Sequence, residues 1–343
     1  MVVKHIFGKS IFLYLLTILL FMICISIIPR KMAEAEEGES ICFILGEDKL
    51  EQTFYSLATE YFTSDSLAGT DKLVRHVRSI EELISFLNAQ DNRVPWQRIE
   101  LVVHGNVWSG LSAKITDGGE RAYPKELLKA FAKKQLPVLK DHVIDSNTVV
   151  NVWGCGIGNN PIMNLALKAC FTDVEGERAA VNASKKFVVF KAGADDGRVK
   201  LVKASYWPYF FKRGYRPGDQ VISRAMAMQY PDAPLDFSES MSAVTSESVY
   251  QEQFHIPISW TVIYDTKEAR PSIGTWESKE HWIRSQAPLM KKINDLQIPF
   301  EQYTWTVNKI IHTDESGQKV PAIKAIGMST VLCFLDEGIP TRT

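Results

Sequence analysis

Between residues 40 and 204, short apolar runs alternate with amphipathic stretches. The short runs are rich in β-branched residues and are typical of buried strands, whereas the stretches between them repeat apolar residues at helical spacing. The predicted strands are Ile41–Leu45, Lys72–Val77, Ile99–Val103, Thr148–Val152 and Lys186–Ala192. This alternation predicts an α/β fold, a mostly parallel sheet flanked by helices.

Two of the predicted helices begin at recognisable signals. Ser79 is followed three residues later by Glu82, which makes a capping box ahead of an apolar stretch. Pro161 falls in the first turn of a helix that runs to about Cys170, where a missing amide proton costs no helical hydrogen bond. Two further helices are predicted over about residues 49–62 and 124–135. Each predicted helix therefore lies between two predicted strands, as a parallel sheet requires.

The pattern changes after residue 204. Aromatic residues cluster over residues 206–211, and three later runs alternate apolar with polar side chains. These runs, Ile256–Tyr264, Tyr303–His312 and Lys319–Leu335, are typical of strands with one buried face. We therefore expect an α/β domain over residues 36–204 and an aromatic, β-rich C-terminal extension over residues 205–343 that packs on it.

Residues 1–35 differ from the rest of the chain. Lys4 and Lys9 precede an apolar run from Ile11 to Ile28, and residues 33–35 read Ala-Glu-Ala, with the small residues of a cleavage site. This arrangement predicts an export signal. The apolar run is also long enough to span a bilayer, which leaves a retained membrane anchor as the alternative. We expect an exported protein that is secreted, periplasmic or attached to a membrane.

Composition narrows the function classes. With 45% hydrophobic residues the chain can bury a large core, and its net charge of -1 lacks the basic excess that a nucleic-acid partner demands. Four cysteines follow the signal, Cys42, Cys155, Cys170 and Cys333, and only Cys155 is flanked by glycines. The histidines lack the spacing of metal ligands. We expect no metal and no cofactor.

Two predicted strands end in residues that carry chemistry. The strand Ile99–Val103 leads into His104-Gly105, and about fifty residues later the strand Thr148–Val152 leads into Gly154-Cys155-Gly156. If the strands are neighbours in a parallel sheet, both ends emerge at the carboxyl edge, where open α/β sheets place their sites. A cysteine attacks as a thiolate and needs a base, for which His104 is the candidate. The amides of Gly105 and Cys155 are the candidate oxyanion donors.

With these motifs the chain resembles the caspase-like cysteine peptidases, the group of caspases, legumain, clostripain and gingipains. Val102-Val103-His104-Gly105 and Trp153-Gly154-Cys155-Gly156 match the group's His-Gly and Gly-Cys strand ends, over a resemblance that covers about residues 40–204. The resemblance implies a caspase-like sheet, His104 as base and Cys155 as nucleophile. It also implies hydrolysis of a peptide or protein substrate through a thioester.

The same resemblance suggests where substrate specificity lies. The group's specificity pockets draw on the loops after the first and fifth strands, where this chain has Asp48, Asp195 and Asp196. Such carboxylates would suit a Lys or Arg side chain of the substrate, although acidic residues in loops are more often solubilising groups.

Three alternatives stay open beside a peptidase. The first is a catalytically inactive surface or interaction module with the same fold. The second is a phosphate or nucleotide binder at Gly154–Gly158, a glycine-rich loop between a strand and a helix, although Asn159 replaces the last glycine of the dinucleotide fingerprint. The third is an α/β-hydrolase, whose nucleophile elbow needs small residues at the positions of Trp153 and Ile157.

Overall fold

The computed structural model describes residues 38–49, 52–64, 70–90, 94–193, 196–241, 249–314 and 317–338. The predicted export signal and Asp195 lie outside these residues. Within the described ranges, no helix combines the length and the apolar character that a membrane crossing requires.

Strands and helices are numbered along the chain. The strands are β1 Ser40–Ile44, β2 Lys72–Val74, β3 Arg98–Val102, β4 Gly105–Asn106, β5 Gly110–Leu111, β6 Val149–Trp153, β7 Ala180–Ala183, β8 Phe187–Ala192, β9 Val199–Lys212, β10 Val249–Ile263, β11 Thr304–Thr313 and β12 Lys319–Asp336. The helices are α1 Phe54–Ser64, α2 Ile80–Ala89, α3 Pro124–Ala132, α4 Pro161–Cys170, α5 Asp219–Gln229, α6 Phe237–Met241, α7 Trp276–Ser285 and α8 Ala287–Asp295.

A five-stranded parallel sheet forms the first half of the described chain, in the order β2-β1-β3-β6-β7. Alternate residues of its strands face opposite sides, as the two-residue period of a strand requires. Ile41 and Phe43 of β1 pack with α2, α3 and α4, whereas Cys42 and Ile44 pack with α1 and β8. Both faces are therefore covered, and the predicted α/β fold with a parallel, helix-flanked sheet is confirmed.

The fifth strand of this sheet is not the one that the sequence predicts. Ala180–Ala183 pairs with β6, whereas Phe187–Ala192 pairs antiparallel with β9 and opens the second sheet. The edge strand β7 is short and half-exposed, so it carries little apolar signal. By contrast, Phe187, Val188 and Phe190 are buried and produce the strong pattern that was assigned to the parallel sheet.

The second sheet is antiparallel and has the order β10-β12-β9-β8. The first part of β12 pairs with β11 and its last part pairs with β9, while β10 follows its other edge. Helices α7 and α8 cover one face of this sheet, and α5 and α6 cover the other. The expected β-rich C-terminal region is confirmed, with four helices that the sequence pattern did not predict.

The capping box at Ser79 and the position of Pro161 in the first turn of α4 are confirmed, and Asn160 adds a cap that was not predicted. The Ser79 hydroxyl accepts a 3.1 Å hydrogen bond from the amide of Glu82, while the Glu82 carboxylate accepts the amide of Arg78. At α4, the Asn160 side chain accepts the amides of Ile162 and Met163, each at 3.0 Å. These caps fix where α2 and α4 begin.

The Ser79 cap provides a test of this local account. Replacing Ser79 by Ala is expected to lower the free energy of unfolding by about 1 kcal/mol, because the Glu82 amide loses its acceptor. Urea unfolding measures the change, and Ser146→Ala, at an exposed turn residue, serves as control with an effect within about 0.5 kcal/mol. Equal effects of the two substitutions would contradict the capping role.

Candidate active site at the carboxyl edge of the parallel sheet

The ends of β3 and β6 run side by side. Val102 pairs with Trp153 in the parallel ladder, and the Val103 amide donates a 3.2 Å hydrogen bond to the Trp153 carbonyl. The next residues, His104 and Gly154-Cys155, therefore emerge at one edge of the sheet. On the other side of β3 lies β1, and the chain order reverses between these two strands. Ligand sites of open α/β sheets lie at the carboxyl edge beside such a reversal.

His104 is held by the first turn of α1. Its ring stacks on Phe54, with centroids 4.3 Å apart, and meets the edge of Tyr55 at 4.7 Å. The backbone amide of His104 donates to the Tyr55 hydroxyl at 3.0 Å, and that hydroxyl donates to the Leu45 carbonyl at 3.0 Å. Tyr55 thus ties the ends of β1 and β3 together and fixes the backbone from which the imidazole projects.

Burial lowers the pKa of His104, an effect that the nearby Asp48 carboxylate opposes and the Arg121 guanidinium reinforces. The imidazole is consequently neutral at pH 7. Its Nε2 atom is buried and has no hydrogen-bond partner among the described residues. A neutral imidazole with an unengaged ring nitrogen can accept a proton.

The thiol of Cys155 is turned towards the second sheet. Its Sγ donates to the Val188 carbonyl of β8 at 3.6 Å, and the residue packs against the apolar cluster that includes Phe187 and Cys333. Burial raises the pKa of Cys155 to about 12, with the Val188 hydrogen bond opposing and the Glu252 charge adding to the rise. Within the described chain no hydrogen bond joins Cys155 to His104, so the structure brings the two residues to one edge without coupling them.

Close packing accounts for the glycines around these two residues. A Cβ atom on Gly154 would lie 2.3 Å from Ile157 Cδ1, and one on Gly105 would lie 2.7 Å from the Gly110 carbonyl oxygen. Gly156 has a φ of 67° and faces the Tyr206 hydroxyl, which a Cβ would approach to 2.7 Å. The glycines beside Cys155 admit these close neighbours, and Cys155 is half-buried whereas Cys42, Cys170 and Cys333 are buried. Gly105 and Cys155 both lie at the site edge, where their oxyanion role stays a prediction.

The acidic residues proposed for specificity are separated. Asp48 accepts the amides of Tyr55 and Ser56 at 2.9 and 2.8 Å, at the start of α1. Although partial burial opposes the change, these hydrogen bonds lower the pKa of Asp48. Asp196 accepts the Arg198 amide in the exposed turn between β8 and β9. Neither carboxylate lines the cavity beside His104, and their role in substrate binding stays a prediction.

A cavity of about 390 Å³ lies beside His104, between the ends of β1 and β3. Its wall includes Tyr55 and Ser112, and its charged lining residues are Glu47, Lys49, Arg78 and Lys114. Arg78, Ser112 and Lys114 were not predicted from the sequence, because the β2–α2 connection and the segment that follows β5 carry no motif. Only the fold shows that these connections return to the carboxyl ends of β1 and β3.

The glycine-rich loop after β6 has little capacity for a phosphate. The Gly156 amide donates to the Lys186 carbonyl at 3.0 Å, and the Gly158 amide donates to the Ser184 carbonyl at 2.8 Å. Phosphate-cradling loops need such amides to be free for the ligand. The described residues also contain no group of three or more His, Cys, Asp or Glu side chains placed to hold a metal ion.

Comparison of the chain with protein-family models, with curated proteins and with solved structures found no match.

The link through Tyr55 can be tested by Tyr55→Phe. The substitution leaves the His104 amide without its acceptor and the Leu45 carbonyl without its donor, so the free energy of unfolding should fall by about 1–3 kcal/mol. Urea unfolding measures the loss, with Tyr215→Phe as control at a residue that is 70% exposed. The role assigned to Tyr55 would be wrong if both variants matched the unsubstituted chain.

Alkylation tests whether the Cys155 thiol is protonated at neutral pH. Because the thiol is protonated at neutral pH, iodoacetamide should modify Cys155 in the folded chain more slowly than it modifies glutathione at pH 7.5. The rate should keep rising above pH 9, and mass spectrometry with the Cys155→Ala variant identifies the modified residue. A rate that reaches its plateau below pH 8 would show a thiolate that the described contacts do not explain.

Proposed function

We propose that the protein is an exported, caspase-like cysteine peptidase in which His104 and Cys155 form the catalytic dyad. One observation carries the proposal: the two residues follow adjacent parallel strands, β3 and β6, of a sheet ordered β2-β1-β3-β6-β7. The His-Gly and Gly-Cys motifs at these ends support the same assignment. The expected substrate is a peptide or protein.

The chemistry requires a proton transfer between the two side chains. The imidazole of His104 takes the proton of the Cys155 thiol, and the sulfur forms a bond to the carbonyl carbon of the peptide. The carbon–nitrogen bond then breaks, the imidazolium returns its proton to the leaving amine, and water hydrolyses the thioester. Amides of Gly105 and Cys155 would stabilise the oxyanion, each donor contributing on the order of 100- to 1,000-fold in rate.

The dyad must rearrange before it reacts. In the structure the thiol donates to Val188, and catalysis requires the sulfur to leave this carbonyl and approach the unengaged nitrogen of His104. The two residues already follow neighbouring strands, and the proposal requires the Cys155 side chain to turn from Val188 towards His104. Catalytic hydrogen bonds commonly tighten only when substrate binds.

A second candidate function is a non-catalytic module with the same fold, which binds a peptide without cleaving it. The specific observation that favours it is the hydrogen bond from the half-buried Cys155 thiol to the Val188 carbonyl, together with a pKa that burial raises to about 12, which leaves almost no thiolate at neutral pH. Under this alternative the carboxyl edge of the parallel sheet binds the peptide, and Cys155 only packs against its neighbours.

Cleavage of a peptide library separates the two candidates. The full chain, purified in mild detergent, should cleave a subset of peptides, and Cys155→Ala or His104→Ala should lower kcat/KM about 1,000-fold or more. Cys170→Ala, which removes a buried thiol on α4, is the matched control and should keep the activity. Unchanged cleavage in Cys155→Ala would refute the dyad. Binding of peptides without any cleavage would support the module.

A further inference from the structure

A second cavity lies in the antiparallel sheet, where two strands share one edge of β12. Strand β11 pairs with β12 as far as Met328, and β9 pairs with β12 from Ser329 onwards, so the start of β11 meets the end of β9. The Thr304 hydroxyl links the two ends by donating to the Arg213 carbonyl at 3.2 Å. The cavity at this junction has a volume of about 590 Å³ and shares no lining residue with the cavity beside His104. Its volume is that of a small-ligand site. We call it the junction cavity.

Six aromatic side chains line the junction cavity. They are Tyr209, Phe211, Tyr215, Trp276, Tyr303 and Trp305. Tyr215 is 70% exposed and Trp276 is 46% exposed, and no other aromatic side chain that the structure describes is as exposed as these two. Both exposed rings therefore lie at the same cavity, where they offer flat apolar faces to a ligand.

The neighbours of Trp305 hold its ring in place. Phe300 stacks on it with centroids 5.4 Å apart, and the Arg284 guanidinium lies 3.8 Å from the centroid of the Phe300 ring. On β12, a Cβ atom at Gly327 would lie 2.7 Å from Trp305 Cζ3, so the indole needs a glycine there. An aromatic wall that is fixed before binding loses little conformational entropy when a ligand arrives.

Two buried polar groups of this wall have no partner. Tyr303 is 2% exposed, and neither its hydroxyl nor the indole nitrogen of Trp305 forms a hydrogen bond within the described residues. Burial raises the pKa of Tyr303, so its hydroxyl is protonated at neutral pH. Both groups can therefore donate a hydrogen bond. Because buried polar groups are almost always satisfied, two unpartnered donors in the lining of one cavity indicate a ligand with acceptor oxygens.

The remaining polar residues leave the junction cavity without a net charge. Lys212 and Glu301 are the charged groups among its described lining residues, and their charges are opposite. Glu301 also accepts a 3.1 Å hydrogen bond from Arg284. The side-chain amide of Gln302 is engaged by no other described residue and offers both a donor and an acceptor. The lining thus combines aromatic faces with uncharged hydrogen-bonding groups.

From these observations we propose that the junction cavity binds a neutral saccharide, one or two sugar rings of an oligosaccharide. A pyranose ring presents an apolar face of C–H groups, which packs on aromatic rings such as those of Tyr215 and Trp276. Its hydroxyls both donate and accept, and so can satisfy Tyr303, Trp305 and Gln302. The inference goes beyond the proposed peptidase function and does not depend on it.

A quaternary ammonium ion is the main rival ligand for an aromatic cavity. Such a cation has no acceptor oxygen, so it would leave the donors of Tyr303 and Trp305 unpartnered. Lys212 would also repel it. The donors therefore favour the saccharide over the cation.

An oligosaccharide array tests the proposal. The full chain, purified in mild detergent, is applied to neutral oligosaccharides of glucose, galactose, mannose and N-acetylglucosamine, and isothermal titration calorimetry measures the affinity for those that bind. At least one should bind. Trp276→Ala removes an exposed ring without opening the core, and it should weaken that affinity about ten-fold or more, since buried aromatic contacts dominate recognition sites.

Two tyrosine variants provide a matched comparison. Tyr303→Phe should weaken the affinity for the sugar roughly three- to ten-fold, the effect of one hydrogen bond, but should leave the urea midpoint unchanged or higher, because the hydroxyl has no partner in the protein. Tyr264→Phe should do the opposite. Its hydroxyl accepts the Trp282 indole at 2.9 Å outside the cavity lining, so its loss should lower the urea midpoint and leave the affinity within about two-fold.

Three results would overturn the proposal. They are an array on which no neutral oligosaccharide binds, binding that Trp276→Ala and Tyr303→Phe both leave unchanged, and displacement of the bound sugar by choline at the cavity without competition from methyl glycosides. Peptide cleavage is measured separately. Sugar binding without cleavage would support the saccharide site and refute the peptidase, whereas dyad-dependent cleavage without sugar binding would do the reverse.

Discussion

The parallel pairing of β3 with β6 is the interaction on which the site depends. It brings the carboxyl ends of two strands that are about fifty residues apart along the chain to one place, with Val102 opposite Trp153. A one-residue slip would reverse the faces of the buried side chains, so the apolar residues on both sides of the sheet hold the register. In this register His104 and Cys155 emerge at the same edge of the sheet.

The second sheet constrains the same edge from one side. Strand β8 contributes Phe187 to the core of the antiparallel sheet and Val188 to the layer that covers the parallel sheet. The carbonyl of Val188 also accepts the Cys155 thiol. The strand that joins the two halves of the fold thus also accepts the hydrogen bond of the candidate nucleophile. Under the peptidase proposal, any movement that releases the thiol must act at β8 or at the Cys155 side chain itself.

Much of the fold follows from the sequence pattern, and the site follows only in part. Strands β1, β3 and β6 and the helix starts at Ser79 and Pro161 carry strong local signals, so their bounds were predicted to within one or two residues. Strand β7 was missed because it is short and half-exposed, and β8 was placed in the wrong sheet because periodicity does not identify a strand's partner. The cavity residues Arg78 and Lys114 lie on connections whose positions depend on tertiary packing. The contact of Cys155 with Val188 also depends on tertiary packing, because the flanking glycines do not show which element the thiol meets.

Under the peptidase proposal His104 and Cys155 act together, so the distance between their side chains in a trapped complex is the decisive measurement. A peptide aldehyde forms a reversible covalent bond to a catalytic thiol, and a crystal structure of the full chain with such a peptide would show the position of both side chains. We predict a bond between the aldehyde carbon and Cys155 Sγ, with a His104 ring nitrogen within about 3–4 Å of the sulfur. An unmodified Cys155 still donating to Val188, with the peptide bound elsewhere or not at all, would contradict the claim.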